Sequence, residues 1–121
     1  MTVSFQLAEQ NFIAINGGPN FTFTPAISFF VICETSQELD DLWKHLSDGS
    51  ALLMELGKYP FSEKFGWLED KYGISWQLNL TTFPQKIAPF LMYFGDQHGK
   101  VEEAMNFYIS IFKQSSVIHR T

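Results

Sequence analysis

Cysteine is nearly missing from this chain. Cys33 is the one example, so no internal disulfide can form, and a reducing compartment is the expectation. Basic residues are scarce as well. Eight Lys and Arg stand against thirteen Asp and Glu, a net charge of −5, and Lys58, Lys64, Lys71, Lys86 and Lys100 form no run. A chain that neutralises phosphates needs a basic face, so a nucleic-acid partner is not expected. Long apolar runs are absent: the longest, around Ile27 to Cys33, is too short to span a bilayer, and no membrane partner is expected. The opening MTVSFQLAEQ lacks the basic and apolar regions of a secretory signal. A cytoplasmic protein is the resulting expectation.

What the chain does have is apolar bulk. Of its 121 residues 45% are hydrophobic and 13 are Phe, enough for one domain with a real core. Val3, Phe5 and Leu7 alternate with Ser4, Gln6 and Ala8, the period of a half-buried strand. A second strand is expected over 11–16, and Gly17-Gly18-Pro19 then breaks the chain. Residues 26–33 read as a third strand, rich in Phe, Val and Ile. Thr35-Ser36-Gln37-Glu38 matches a capping box, and Leu39, Leu42, Trp43 and Leu46 follow as one apolar stripe. Gly49 stands where a left-handed residue ends a helix.

A strand over 51–56 is predicted to give way to a structured loop over 57–73, with a short strand around 65–68 inside it. Residues 74–80 form a clean strand: Ile74, Trp76, Leu78 and Leu80 on one face, Ser75, Gln77 and Asn79 on the other. The pattern then restarts with a strand over 87–94, a loop over 95–99, a helix over 100–112 and a strand over 115–120. The stripe Leu39, Leu42, Trp43, Leu46 corresponds to Val101, Ala104, Met105, Tyr108, which makes an internal repeat. The chain divides into closing strands (1–20), a complete strand-helix-strand-strand-strand module (22–82) and an opening strand-helix-strand (84–121). Because open sheet edges are a liability, the two chain ends are expected to complete a second module, within the chain or across a homodimer.

The stretches VSFQLAEQNFIAINGGP, FTPAISFFVICET, LGKYPFSEKFGWLEDKYGISWQL and PFLMYFGDQHGKVEEAMNFYISIF resemble the vicinal oxygen chelate (glyoxalase/bleomycin-resistance) superfamily. Within it they are most similar to the PhnB-like branch, labelled 3-demethylubiquinone methyltransferase-like. The resemblance implies an α+β fold of paired βαβββ modules in one glyoxalase-like domain. The order of the stretches is rotated relative to that branch, as in a permuted chain or the middle of a longer two-repeat protein. The methyltransferase label is not carried over, since Gly17-Gly18-Pro19 has neither the spacing nor the following helix of a Gly-rich nucleotide turn.

In metal-dependent members the last strand carries a glutamate ligand in a motif resembling D-x-x-G-x-x-x-E. Asp70, Gly73 and Gln77 match that spacing, with an amide at the ligand position. The first-strand position usually held by histidine offers Ser28. A neutral amide is a weaker ligand than a carboxylate for a divalent ion, so no cofactor is expected, with a divalent metal as the open alternative. The expected ligand-binding residues are Ser28, Trp67, Ser75, Gln77 and Asn79, for a small molecule of unknown identity. His119, at the expected last strand, is the weak candidate for proton transfer, and a surface role is its ordinary reading. His45 and His98 are expected in solvent, and Cys33 as a small buried hydrophobe. The aromatics of 59–67 either wall a pocket or serve as core. Two functions stay open: a ligand-sequestering protein without chemistry, and an enzyme that polarises adjacent oxygens through a metal.

Overall fold

A computed structural model of the chain describes residues 1–120, which fall into two compact units, Met1–Leu91 and the segment from Met92 onward. In the first unit, β1 (Thr2–Leu7) and β2 (Gln10–Ile15) form an antiparallel hairpin. Its turn needs two left-handed residues, and Ala8 (φ 50°) and Glu9 (φ 68°) supply them. The hairpin is a two-stranded sheet of its own.

The larger sheet is built from β3 (Ile27–Cys33), β4 (Ala51–Tyr59), β5 (Ser62–Glu69), β6 (Ser75–Leu80) and β7 (Ile87–Leu91), in the order β4-β5-β6-β3-β7. β3 and β6 run parallel; the other neighbours are antiparallel. With α1 (Ser36–Leu46) between β3 and β4, residues 27–80 make one glyoxalase-like βαβββ module. β7 adds a fifth strand beside β3.

The capping box forms at the start of α1. Thr35 Oγ1 accepts from Glu38 N at 3.1 Å, and Glu38 Oε1 accepts from Glu34 N at 3.1 Å, one residue ahead of the usual partner. Lys86, just before β7, pairs with the same Glu38 carboxylate and holds it below the usual carboxylate range. Leu39, the first residue of the helix stripe, is fully buried against Val31, Cys33, Leu78 and Ile87. Gly66 of β5 lets α1 approach closely. A Cβ there would stand 2.5 Å from Cζ3 of Trp43, so any side chain would push the indole off the sheet.

Three expectations are corrected. The stretch over 57–73 is not a loop: β4 continues to Tyr59 and β5 spans Ser62–Glu69, joined by the tight Pro60-Phe61 turn. The strand expected over 87–94 ends at Leu91. Residues 115–120 form no strand, for a strand needs a neighbour to hydrogen-bond and none is supplied among the described residues.

The second unit holds a short 3₁₀ turn (Gly95–Gln97) and α2 (Val101–Ile111), close to the expected helix. None of the residues of α2 is buried. Arg120 reaches back to Glu102 at 3.1 Å across exposed surface, a pair worth little in water.

Candidate functional site

Strand alternation sorts the large sheet into two faces. Val31, Cys33 and Leu78 lie in the core on the α1 side, with Phe29, Trp76 and Leu80 packed against them. Register then fixes the opposite face. It carries Ser28, Phe30 and Ile32 of β3, Ser75, Gln77 and Asn79 of β6, Phe65, Trp67 and Glu69 of β5, and Ala88 and Phe90 of β7. The division of 74–80 into an apolar and a polar set is the one read from the sequence.

The polar row is not uniform. Ser28 and Ser75 are buried, with their hydroxyl oxygens 2.7 Å apart. Trp67 Nε1 donates to Ser75 Oγ at 2.8 Å, and Ser28 Oγ donates to the Pro25 carbonyl at 3.3 Å. These contacts fix every proton. A carbonyl only accepts, so the single proton of Ser28 goes to Pro25, and Ser75 must donate to Ser28. The chain therefore runs one way, from Trp67 through Ser75 and Ser28 to Pro25, and no hydroxyl proton is left over. Asn79 is tied separately: its Oδ1 and the Lys64 carbonyl oxygen (3.0 Å) share the single proton of the Ser62 hydroxyl.

Gln77 alone in the row is left open. It is 4% exposed, and its Nε2 is buried without a hydrogen-bond partner. Its neighbours across the strands are Phe30 and Trp67, both half-buried. Phe30 in turn lines an apolar cavity of about 250 Å³ with Phe83, Ala88, Pro89 and Phe90. The rings of Phe30 and Phe90 stack at 5.8 Å.

Ser28, Trp67, Ser75 and Gln77 are thus brought to one patch, with Asn79 further along the same row. His119 lies exposed in the second unit. His45 and His98 are exposed. The ring of His45 lies 2.8 Å from the Asp41 carbonyl oxygen, one helical turn back. The sequence reading missed Phe30, Phe83 and Phe90. Phe30 stands two residues after Ser28, so the same alternation that singled out the serine places the ring beside it. Nothing in the spacing pointed to Phe83 or Phe90, which follow the last strand of the module.

Asp70 of the D-x-x-G spacing is structural. Its Oδ1 accepts from Tyr72 N (2.8 Å) and Ile74 N (3.0 Å), and its Oδ2 from Trp76 Nε1 (2.8 Å). Gly73 completes the turn in the left-handed region, at φ 95°. The aromatics of 59–65 form a cluster at the β4–β5 turn: Phe61 lies 5.5 Å from Tyr59 and 5.0 Å from Phe65. Phe65 is buried there, whereas Phe61 is exposed.

The patch offers two serine hydroxyls engaged with each other, two neutral amides and, on β5 in register with Ser75, the Glu69 carboxylate, without imidazole or thiolate. Among the described residues no group of three or more His, Cys, Asp or Glu stands together as a ligand set. Cys33 is sealed in the core and burial pushes its thiol up to about 11, which leaves it protonated and inert at neutral pH.

Comparison with known proteins adds what geometry does not. No curated protein matches the chain. A solved PhnB protein of Bacillus cereus, described as a 3-demethylubiquinone-9 3-methyltransferase, is 52% identical, with a TM-score of 0.65 over 67% of this chain and 64% of that one. The chain thus spans less than two thirds of that relative's length. A Pseudomonas aeruginosa protein, 21% identical with a TM-score of 0.58 over 65% of this chain and 61% of its own, shares the fold. The family model described as 3-demethylubiquinone-9 3-methyltransferase matches residues 1–79. With most of its length inside that model, the chain belongs to this family, the PhnB-like branch of the glyoxalase-like proteins.

Proposed function

We propose that the protein binds a small molecule on the sheet face opposite α1, and that it does so without a resident metal. One observation carries this reading: an apolar cavity of about 250 Å³ opens beside a row of buried polar side chains, and Phe30 lines the cavity while standing in register with Gln77 of the row. Apolar walls with a few polar groups are the usual make-up of a small-molecule site. Methyl transfer is not part of the proposal. The large sheet has one parallel pair, β3 and β6, not the alternating strand-helix order of a doubly wound nucleotide fold. Metal-assisted polarisation of adjacent oxygens is the weaker reading, because Gln77 and Ser28 stand where the resemblance puts a carboxylate and an imidazole.

A neutral solvatochromic dye such as Nile red tests the site. Its fluorescence should rise and saturate at one equivalent per chain, and Phe90→Glu should abolish the rise. Phe90 is 40% exposed, so a charge there closes the cavity to an apolar guest at little expense to the fold. Unchanged dye uptake by the variant would sink the proposal.

The same reading includes a homodimer in a cytoplasmic setting. The hairpin carries Val3, Phe5 and Leu7 on one side, and Ile13 and Ile15 (76% and 72% exposed) on the other. Phe12, on the side of Phe5, packs edge-on against Phe29 at 5.2 Å, which leaves the Ile13 and Ile15 side as the apolar face to be covered. A second copy, offering its own strand-helix segment to complete a βαβββ module, is the cover we propose. Sedimentation equilibrium is expected to give twice the chain mass, and Ile13→Lys with Ile15→Lys should return it to one. A wild-type monomer at micromolar concentration would refute this assembly.

A further inference from the structure

We infer that the ligand of this face is an uncharged molecule with a flat apolar body and a carbonyl-type oxygen, and that Gln77 Nε2 donates to that oxygen. The inference rests on the binding reading above and deepens it. Three observations converge on it.

The first is the orphan donor. An amide N–H buried without a partner is a standing penalty of about 1–3 kcal/mol, and native folds keep few of them. The other polar side chains named in the row have partners within the protein. Ser75 and Ser28 lie within the one-way chain from Trp67 to Pro25, and Asn79 is bonded by Ser62. Gln77 Nε2 is the one buried side-chain nitrogen or oxygen among the described residues with no partner. As the amide is oriented, the missing partner is an acceptor, because an N–H only donates.

The second is access. The neighbours of Gln77 across the sheet are the rings of Phe30 and Trp67. Phe30 is half-buried and faces the cavity that Phe90 closes on the other side. A flat apolar body seated on the stacked Phe30–Phe90 rings can send an oxygen to Gln77 once the Phe30 ring turns aside. Trp67, by contrast, is pinned through its N–H to Ser75 and serves as a fixed wall.

The third is charge. The face formed by Ser28, Phe30 and Ile32, by Ser75, Gln77 and Asn79, and by Ala88 and Phe90 contains no charged side chain. On β5 it adds Glu69, an acid, in register with Ser75. On these four strands no cation stands ready for an anionic group, and removing a carboxylate from water without one is prohibitive. A neutral carbonyl satisfies the donor without that penalty.

The test uses three small probes on the full chain: 2-acetylnaphthalene, 2-isopropylnaphthalene and 2-naphthoate. The first two share shape and differ in the acceptor; the third carries a charge. Titrations of the wild type and Gln77→Leu, read by calorimetry, give the ketone-to-hydrocarbon affinity ratio in each protein. The ratio is expected to be about tenfold higher in the wild type, the worth of one hydrogen bond to a buried donor. Hydrocarbon affinity should be unchanged by the substitution, and naphthoate should bind weakest to both. Leucine removes the orphan donor at similar volume, so the variant should fold; Gln77→Met takes its place if it does not. Equal ratios in the two proteins would overturn the inference, as a water molecule on Gln77 would produce, while leaving the binding reading standing. Naphthoate binding as tightly as the ketone would overturn the neutral class. Failure of all three probes, together with the dye, would remove both.

Discussion

Alanine at Asp70 is expected to lower stability by about 2–4 kcal/mol and to loosen the β5–β6 connection. One carboxylate there organises the whole turn, accepting from the Tyr72 and Ile74 backbones and from the Trp76 indole. Hydrogen bonds to a charged group contribute about 1.5–3 kcal/mol each, but three on one side chain are not additive. Urea denaturation measures the loss, and near-UV circular dichroism follows the indole that is set free. Asp70→Asn should fall in between. Its oxygen can keep the two backbone bonds, but its NH₂ then faces the Trp76 N–H, donor against donor. A midpoint for Asp70→Ala within about 0.5 kcal/mol of wild type would mean that the turn is held by its backbone bonds alone.

The second large effect is expected from Leu78→Ala, a loss of about 2–5 kcal/mol. Leu78 is fully buried on β6, with Val31 beside it on β3 and Gly66 on β5. It belongs to the cluster that joins α1 to the sheet through Leu39. Gly66 contributes no side chain to refill the space, and Trp43 already lies over it, so the cavity would persist. Such a loss is a large share of the 5–15 kcal/mol that holds a domain of this size together. Denaturant unfolding with an unchanged slope and a lower midpoint would confirm it. An unchanged midpoint would mean that the helix–sheet interface collapses to fill the gap.

Both sites show what the sequence could convey. The alternation of 74–80 was legible because one face of β6 lies under a helix and the other does not, so period two survives in the residue types. The start of α1 was legible because a capping box is local chemistry and needs no tertiary partner. β5 was hidden by the same residues that make it work. Gly66 reads as a breaker, yet it is there to receive Trp43, and Pro60 belongs to a turn so short that no loop remains. Along β4 the pairing slips between Leu52 and Met54, between Met54 and Gly57, and between Gly57 and Tyr59, which erases any regular alternation. The last expected strand, over 115–120, fails for the opposite reason: suitable residues are present and, among the described residues, a neighbouring strand is not.

The candidate site was half legible. Its polar row follows from alternation once β6 is found, and Ser28, Ser75, Gln77 and Asn79 were singled out together. Their different standing was out of reach, because it depends on pairings between residues as distant as Ser28 and Ser75. Only the three-dimensional pairing separates Gln77 from its satisfied neighbours. The Asp70 of the metal-like spacing turned out to serve the turn, so the motif's spacing has a structural cause independent of any ligand at position 77.

Cys33 has a use that its burial creates. It is the chain's single thiol and has no exposed surface, so a reagent can reach it only in molecules whose sheet and helix have parted. Alkylation therefore proceeds through openings of the core, and with reclosing faster than the reaction its rate relative to a free thiol gives the fraction of time spent open. Because burial raises the native thiol to about 11 from 9.0, chains that open above pH 9 ionise there while closed ones do not. Alkaline solution between those values draws the equilibrium toward the open form, so the thiol both records the opening and, in base, promotes it.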